Sequence, residues 1–155
     1  MIKLLCTLLL ICSGISFADT EQAEINCLAQ TIYFEARSEP VEGQYAVGLV
    51  ALNRVQSPQF PNTLCGVTQQ AWRDEKGQPI KYKCQFSFYC DGEPEHVKDE
   101  KAWILAWTLA KGLVRHTPSR DITNGALYYH ANYVSPYWAV AQTQTVQIDT
   151  HIFYK

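Results

Sequence analysis

The sequence predicts an α+β domain that is mainly helical, contains a small antiparallel sheet and is held by two disulfides. Apolar residues recur at steps of three and four through the first half of the chain and again over residues 94–116, which is the period of a helix. Short runs near the C-terminus alternate apolar and polar residues, which is the period of a strand. Four cysteines follow an N-terminal segment typical of exported proteins.

The N-terminal segment has the composition of a cleavable signal peptide. Lys3 precedes an apolar run over residues 4–12, and Ser16-Phe17-Ala18, with small residues at its first and last positions, completes the pattern. The apolar run is too short to cross a bilayer, which takes roughly 20 apolar residues. We therefore expect residues 1–18 to be removed and residues 19–155 to form one exported domain, either periplasmic or secreted.

The charge and length of the mature chain exclude several classes of protein. Without its first 18 residues the chain keeps 137 residues, with 12 basic and 15 acidic side chains. Domains that bind nucleic acid usually present a basic face, so we expect no nucleic acid partner. No later segment is apolar enough for a stable membrane span, and no partner protein can be inferred. A lipid anchor at Cys12 is an alternative, but Ile11 stands where a small residue is typical.

The mature chain keeps Cys27, Cys65, Cys84 and Cys90, an even number that favours two disulfides in an oxidising compartment. Of the three possible connectivities we favour Cys27 with Cys65 and Cys84 with Cys90. The second pairing requires a turn, because an extended run would separate the two Cα atoms by about 20 Å. A zinc site is the alternative, but no two of these cysteines form a C-x2-C pair, and we expect no metal.

The first helix is expected to begin near Asp19 or Thr20, which are both good N-caps, and to run to about Ser38. It ends there because Pro40 disfavours helical geometry in the residue before it. Its apolar positions form one stripe: Ile25, Leu28, Ile32 and Ala36. Glu35 falls on the same stripe.

Three further helices are predicted. Residues 41–55 have little polar face, which indicates a central helix buried on most sides. Thr63 is a suitable N-cap for a short helix that runs through Gln70. Residues 94–116 form a long helix with a wide apolar face, and Pro118 ends it.

Strands are predicted mainly in the second half of the chain. The polar stretch around Gly77 indicates a surface excursion, and the alternation over residues 84–90 indicates a short strand or hairpin. Asn124-Gly125 predicts a turn before a strand at residues 126–130. The tail over residues 145–153 alternates as a strand does.

Glu35 is the residue best placed for acid–base chemistry. A carboxyl group on an apolar helix face loses hydration, which disfavours its charged form and raises its pKa. Such a group can donate a proton near neutral pH, and cleavage of a glycosidic bond needs that donor because an unprotonated sugar oxygen leaves poorly. The structural alternative is a salt bridge from Glu35 to Arg37 or Arg54.

The segment from Cys27 to Glu39 resembles the cell wall hydrolase family typified by spore cortex-lytic enzymes. The resemblance extends over nearly all of the mature chain, and its other motifs are Glu42-Gly43-Gln44, Leu52-Asn53-Arg54-Val55, Phe60-Pro61-Asn62-Thr63, Cys84-Gln85-Phe86-Ser87, Gly125-Ala126-Leu127-Tyr128-Tyr129-His130 and His151-Ile152-Phe153-Tyr154. Ser38 departs mildly from the family, which often has glycine there. The resemblance implies a lysozyme-like catalytic domain that acts on peptidoglycan without a cofactor, with Glu35 as its catalytic acid.

The reaction that the resemblance implies is cleavage between N-acetylmuramic acid and N-acetylglucosamine by a lytic transglycosylase, which leaves 1,6-anhydro ends. Glu35 would protonate the glycosidic oxygen and then deprotonate the muramic acid 6-hydroxyl. A hydrolytic muramidase or glucosaminidase and a non-catalytic peptidoglycan-binding module are the alternatives. Glu39 and Glu42 are reserve carboxylates, more typical of solvated or helix-start acids.

Six residues are candidates for binding substrate: Ser87, Gln85, Tyr128, Tyr129, His130 and Trp138. Aromatic rings suit the apolar faces of sugars, although core packing is the alternative for both tyrosines. Because Tyr128 and Tyr129 alternate across a strand, we expect at most one of them to face the cleft. Arg54 is expected to tie its helix end to a carboxylate.

Two other chemistries are disfavoured by spacing. His130 and His151 with Glu35 would suit zinc, but no H-x-x-x-H pair supports a metal site. Ser87 with a histidine would suit a hydrolase triad, but the sequence has no G-x-S-x-G motif. Glycan cleavage by a single carboxyl group is therefore the leading hypothesis.

Overall fold

The computed structural model describes residues 17–116 and 118–155. The helices are α1 (Phe17–Ala36), α2 (Val41–Gln56), α3 (Leu64–Thr68) and α4 (Glu100–Arg115), with 3₁₀ helices at Ser87–Cys90 and Tyr137–Ala141. The strands are β1 (Ala71–Arg73), β2 (Pro79–Cys84), β3 (Tyr128–Ala131), β4 (Gln144–Ile148) and β5 (His151–Tyr154). The predicted α+β class is confirmed. The predicted signal peptide lies outside the described residues, except for its last two positions at the start of α1.

Helices α1, α2 and α4 pack around one core, and α2 is central in it, as its apolar composition predicted. Gly48 of α2 lies at the closest approach. A Cβ atom there would stand 2.6 Å from Cδ1 of Leu113 in α4 and 3.1 Å from Cδ1 of Ile32 in α1. The missing side chain therefore lets three helices meet. No helix in the described ranges has the length and apolar character that crossing a membrane requires.

Helix α4 begins at Glu100, so the prediction of a helix from residue 94 was wrong at this end. The side chain of Asp99 accepts a hydrogen bond from the Ala102 N–H at 3.0 Å and caps the helix. The hydroxyl of Tyr33 accepts the N–H groups of Lys98 and Asp99, both at 3.0 Å. These bonds to α1 hold the preceding segment in a non-helical conformation.

The predicted disulfides are both confirmed. Cys27 and Cys65 join α1 to the start of α3, with their Cα atoms 5.1 Å apart. The hydroxyl of Thr63 caps α3 by accepting the Gly66 N–H at 3.0 Å, as the sequence predicted. The carboxylate of Glu24 in α1 accepts the Leu64 N–H at the same helix end. The covalent bond and the caps therefore fix α3 against α1.

The prediction of a strand or hairpin over residues 84–90 was wrong. Strand β2 ends at Cys84, and a 3₁₀ helix covers Ser87–Cys90. The disulfide holds the Cα atoms of Cys84 and Cys90 at 6.1 Å, which an extended run of this length cannot satisfy. Phe86 and Phe88 are both buried, so the alternation reflected core packing across a turn.

Within residues 17–116 and 118–155, five strands form two antiparallel sheets. Strands β1 and β2 make a projecting hairpin, and the second sheet has the order β3-β5-β4. Asn124 and Gly125 both have positive φ, at 56° and 79°, which confirms the predicted turn before β3. The tail is a hairpin, so the prediction of one alternating strand was wrong: Asp149, with a φ of 48°, reverses the chain between β4 and β5.

Candidate active site

A cavity of about 200 Å³ lies where the end of α2, the residue after β2, strand β3 and the second 3₁₀ helix meet. Its walls combine aromatic rings, two amides and one guanidinium. The lining residues are Arg54, Gln85, Tyr128, Tyr129, Trp138 and Gln142. The composition suits a ligand that offers both apolar faces and polar groups, as sugars do.

Glu35 is hydrogen-bonded to one of the residues that line this cavity. The hydroxyl of Tyr129, which lines the cavity, donates to Oε2 of Glu35 at 3.2 Å. Helix α1 places the carboxyl group between the buried residues Ile32 and Ala36, so Glu35 is only partly exposed. Burial raises the pKa of Glu35, while the Tyr129 hydroxyl and the charge of Arg54 act in the opposite direction. The net effect is a pKa above the ordinary value for a glutamate.

The salt-bridge alternative for Glu35 is not realised. In the described part of the chain, Arg115 forms an ion pair with Glu21 at 2.8 Å, and Nδ1 of His151 lies 3.8 Å from Glu39, a contact that is an ion pair only when the histidine is protonated. Among the described residues, Glu35 therefore forms no salt bridge with an arginine, and it accepts a hydrogen bond from the hydroxyl of Tyr129.

Arg54 is the buried cation of the cavity wall, with 2% of its surface exposed. Its Nε donates to the Leu127 carbonyl at 2.7 Å, and its guanidinium lies over the rings of Phe60, Phe86 and Tyr128 at 5.2, 5.2 and 5.9 Å. The expected bond to a carboxylate was wrong, because the helix end is tied to a backbone carbonyl. Burial lowers the pKa of Arg54. Its Nη1 is buried without a hydrogen-bond partner.

The end of α2 also positions the strand that carries the tyrosines. Asn53 donates to Oδ2 of Asp121 at 2.9 Å. The same carboxylate accepts the N–H groups of Thr123 at 2.8 Å and Gly125 at 2.7 Å. Burial opposes the charge of Asp121, but these hydrogen bonds outweigh it and lower its pKa. The turn before β3 is therefore anchored directly to the central helix.

Four of the six predicted substrate-binding residues line the cavity: Gln85, Tyr128, Tyr129 and Trp138. The expectation that only one tyrosine faces the cleft was wrong. Ser87 is exposed at the start of the first 3₁₀ helix and is not part of the cavity wall. His130 lines the depression beside the second 3₁₀ helix instead, with Nε2 2.9 Å from the Tyr154 hydroxyl. The binding roles stay predictions.

Sequence reasoning missed two lining residues. Arg54 stands in the Leu52-Asn53-Arg54-Val55 motif, which could have indicated a role beyond its helix end. Gln142 follows the second 3₁₀ helix directly, and a polar residue in a loop gives no periodic signal.

The reserve carboxylates have other environments. Glu39 accepts the Thr150 hydroxyl at 2.6 Å and lies 3.8 Å from Nδ1 of His151, so it holds the turn between β4 and β5. Glu42 is exposed. Burial lowers the pKa of His151, and Glu39 raises it. Among the residues with described positions, no three His, Cys, Asp or Glu side chains converge as a metal site would require.

Two larger depressions each share a lining residue with the cavity. Gln85 also lines a trough of about 590 Å³ along the β1–β2 hairpin. Gln142 also lines a depression of about 500 Å³ beside the second 3₁₀ helix. The three spaces share residues with their neighbours, an arrangement that suits a polymer longer than the cavity itself.

Comparison with known sequences identifies a family. Residues 38–154 match the model described as Cell Wall Hydrolase, a match that starts three residues after Glu35. The chain is 33% identical over 131 residues to the spore cortex-lytic enzyme of Bacillus subtilis, covering 84% of this chain and 37% of that protein. It is 31% identical to the enzyme of the same name from Halalkalibacterium halodurans, covering 84% of this chain and 34% of that protein. The chain thus spans about a third of the length of these relatives.

Two solved structures share the fold. The catalytic domain of the Bacillus cereus SleB protein has a TM-score of 0.59 and 30% identity, covering 92% of this chain and 94% of that one. The catalytic domain of the germination-specific lytic transglycosylase SleB from Bacillus anthracis has a TM-score of 0.61 and 30% identity, covering 92% and 98%. With a matching fold over nearly the whole of both chains and a family match over residues 38–154, this chain belongs to the cell wall hydrolase family.

Proposed function

We propose that this chain cleaves the glycan strands of peptidoglycan between N-acetylmuramic acid and N-acetylglucosamine, as a lytic transglycosylase with Glu35 as general acid and base. The observation that carries the proposal is the position of Glu35. Its partly buried carboxyl group accepts a hydrogen bond from Tyr129, which lines the cavity. The relatives named spore cortex-lytic enzymes support the substrate, and the SleB domain described as a lytic transglycosylase supports the reaction.

In the first step, the protonated Glu35 donates its proton to the glycosidic oxygen as the bond to the muramic acid C1 breaks. The carboxylate that remains is stabilised by the Tyr129 hydroxyl and by the charge of Arg54. In the second step, this carboxylate accepts the proton of the muramic acid 6-hydroxyl, and O6 bonds to C1 to close the 1,6-anhydro ring. Glu35 ends protonated again, and no water is consumed.

The cavity also favours a mechanism with one carboxyl group over one with two. A retaining glycosidase that forms a covalent intermediate needs a second carboxylate about 5–5.5 Å from the first. Among the described residues, no second aspartate or glutamate lines the cavity, and none is among the groups that shift the pKa of Glu35.

We further propose that residues 1–18 are a signal peptide and that residues 19–155 work outside the cytoplasm, in the periplasm or after secretion. The two disulfides and the family support an extracytoplasmic location. N-terminal sequencing of the protein recovered from the cell envelope tests this directly, with Asp19 expected as the first residue.

Digestion of purified sacculi tests the activity. The parent is expected to release soluble muropeptides with anhydro ends, which mass spectrometry identifies as one water lighter than hydrolysed products. Glu35→Gln is expected to lower the release by at least about 10²-fold, because general acid–base catalysis typically contributes that much. Glu39→Gln is the matched control and is expected to keep the activity.

Three results would contradict the proposal. Equal release by Glu35→Gln would remove Glu35 from the chemistry. Reducing ends in place of anhydro ends would identify a hydrolase. Binding of sacculi without any release by the parent would identify a non-catalytic module.

A further inference from the structure

We infer that the trough along the β1–β2 hairpin binds the anionic stem peptide that the muramic acid carries next to the cleavage position. The hairpin trough is lined by Gln70, Ala71, Trp72, Arg73, Lys83, Cys84 and Gln85. The inference rests on the proposed function and goes beyond it, since it specifies peptide-bearing strands as the preferred substrate.

The trough is connected to the candidate active site through Gln85. This residue lines both spaces, and its N–H donates to the Gln70 carbonyl at 2.9 Å, which holds the residue after β2 against the residue before β1. A glycan strand in the cavity therefore brings a substituent of its muramic acid to the edge of the hairpin trough. A peptide branch can enter the trough while the sugar backbone stays in the cavity.

The charge of the hairpin is complementary to a stem peptide. The whole chain has a net charge of −2, whereas residues 71–84 contain four basic and two acidic side chains, a formal charge of +2. Arg73 is held over the trough by bonds from its guanidinium to the carbonyls of Gly77 at 3.0 Å and Gln69 at 3.4 Å. Lys83 is exposed beside it. Stem peptides carry more free carboxylates than free amines, so these cations attract them.

Trp72 supplies the apolar side of the same trough. It is 75% exposed, although a large aromatic ring is usually covered in a folded protein. An exposed tryptophan beside cationic side chains fits a ligand that combines carboxylates with methyl groups, as the alanines of a stem peptide do.

The depression on the other side of the cavity has a different chemistry. Its lining contains no Lys, Arg, Asp or Glu, and it includes Val140, which is 93% exposed. It therefore offers no lysine or arginine to pair with a carboxylate. The asymmetry of the two sides therefore directs the anionic branch to the hairpin trough.

The test compares two soluble substrates with the same glycan backbone. One is peptide-bearing strands freed of cross-links by an endopeptidase, and the other is denuded strands made from them with an amidase. The parent is expected to cleave the peptide-bearing strands with the lower KM. Lys83→Gln is expected to lower kcat/KM on them about two- to fivefold, the size of an exposed ion pair, and to leave the denuded strands unaffected. Trp72→Ala is expected to show the same selectivity.

Lys76→Gln is the matched control, because it makes the same charge change on the same hairpin outside the trough lining, and it is expected to behave as the parent. Thermal melts check that each variant is folded. Equal losses on both substrates, no loss on either, or a parent that prefers denuded strands would overturn the inference while leaving the proposed cleavage intact. A parent that cleaves neither substrate would refute the proposed function instead.

A binding experiment tests the hairpin trough independently of cleavage. Folded Glu35→Gln is titrated with free stem peptide, and binding is followed by tryptophan fluorescence. The titration is repeated with the double variant Glu35→Gln/Lys83→Gln. Binding that is lost with Lys83 supports the inference, whereas absent or unchanged binding overturns it.

Discussion

Replacing Tyr129 with phenylalanine isolates the hydrogen bond that holds Glu35. The substitution removes one hydroxyl group and keeps the ring, which packs edge-on against His151 at 5.2 Å and against Phe153 at 5.8 Å. Because the ring keeps its neighbours, the fold is expected to be unchanged. The loss is confined to the donor 3.2 Å from Oε2 of Glu35.

The expected size follows from the geometry of that bond. A hydrogen bond to a charged group contributes about 1.5–3 kcal/mol. The 3.2 Å separation exceeds the usual distance of about 2.7–2.8 Å for hydroxyl donors, so we take the lower end. The Glu35 anion then loses about 1.5 kcal/mol of stabilisation in the proton-transfer step. The expected fall in kcat is about tenfold.

The pH dependence gives a second readout with a definite sign. The Tyr129 hydroxyl lowers the pKa of Glu35 because it donates to the charged form. Its removal raises that pKa further, so Glu35 stays protonated to higher pH. The alkaline limb of the kcat profile is therefore expected to move toward higher pH.

The assay is the initial rate of release from dye-labelled sacculi, measured across the pH range for the parent and the variant. Tyr128→Phe is the matched control, since Tyr128 lines the same cavity and has no hydrogen bond to Glu35 among the described contacts. An unchanged rate and limb for Tyr129→Phe, or the same shift for Tyr128→Phe, would refute the reasoning.

Glu35→Gln is expected to be more stable than the parent at neutral pH, because burial raises the folded pKa of Glu35 above its ordinary value of 4.5 and the parent loses stability as the pH rises from there through the folded pKa. Melting curves at several pH values check this, and a difference in melting temperature that does not widen with pH would contradict it. Replacing both Cys27 and Cys65 with serine opens a loop with a sequence separation of 38 and is expected to lower the free energy of unfolding by about 4 kcal/mol. Urea unfolding measures this, and a loss under about 1 kcal/mol would contradict the chain-entropy reasoning. Gly48→Ala is expected to cost about 1–3 kcal/mol, because its new methyl would stand 2.6 Å from Leu113, and an unchanged melting temperature would show that the helices adjust freely.

The helices could be predicted from the sequence wherever the signal was local. The apolar stripe of α1, the cap at Thr63 and the composition of α2 depend on neighbours a few residues away, and the structure has all three. The start of α4 could not be predicted, because Tyr33 fixes it from another helix. The predicted strand over residues 84–90 was wrong for a different reason: the favoured pairing of Cys84 with Cys90 already required a turn, and the disulfide overrides the alternating pattern.

The same distinction applies to the candidate site. The position of Glu35 follows from the period of its own helix, so sequence reasoning reached it. The part played by Arg54 depends on Leu127, which lies 73 residues further along the chain. Both tyrosines reach the cavity because β3 meets it beside the end of α2, and no pattern within β3 carries that information.

The anchoring of the β3 turn to Asn53 and Arg54 has a consequence for how the site meets its ligand. Side chains on surface loops must be immobilised each time something binds, and the lost freedom weakens association. Here the backbone before the tyrosines is hydrogen-bonded to the end of the central helix α2, so the packed core already fixes its conformation. The entropic penalty of arranging that wall is met during folding, before any sugar arrives.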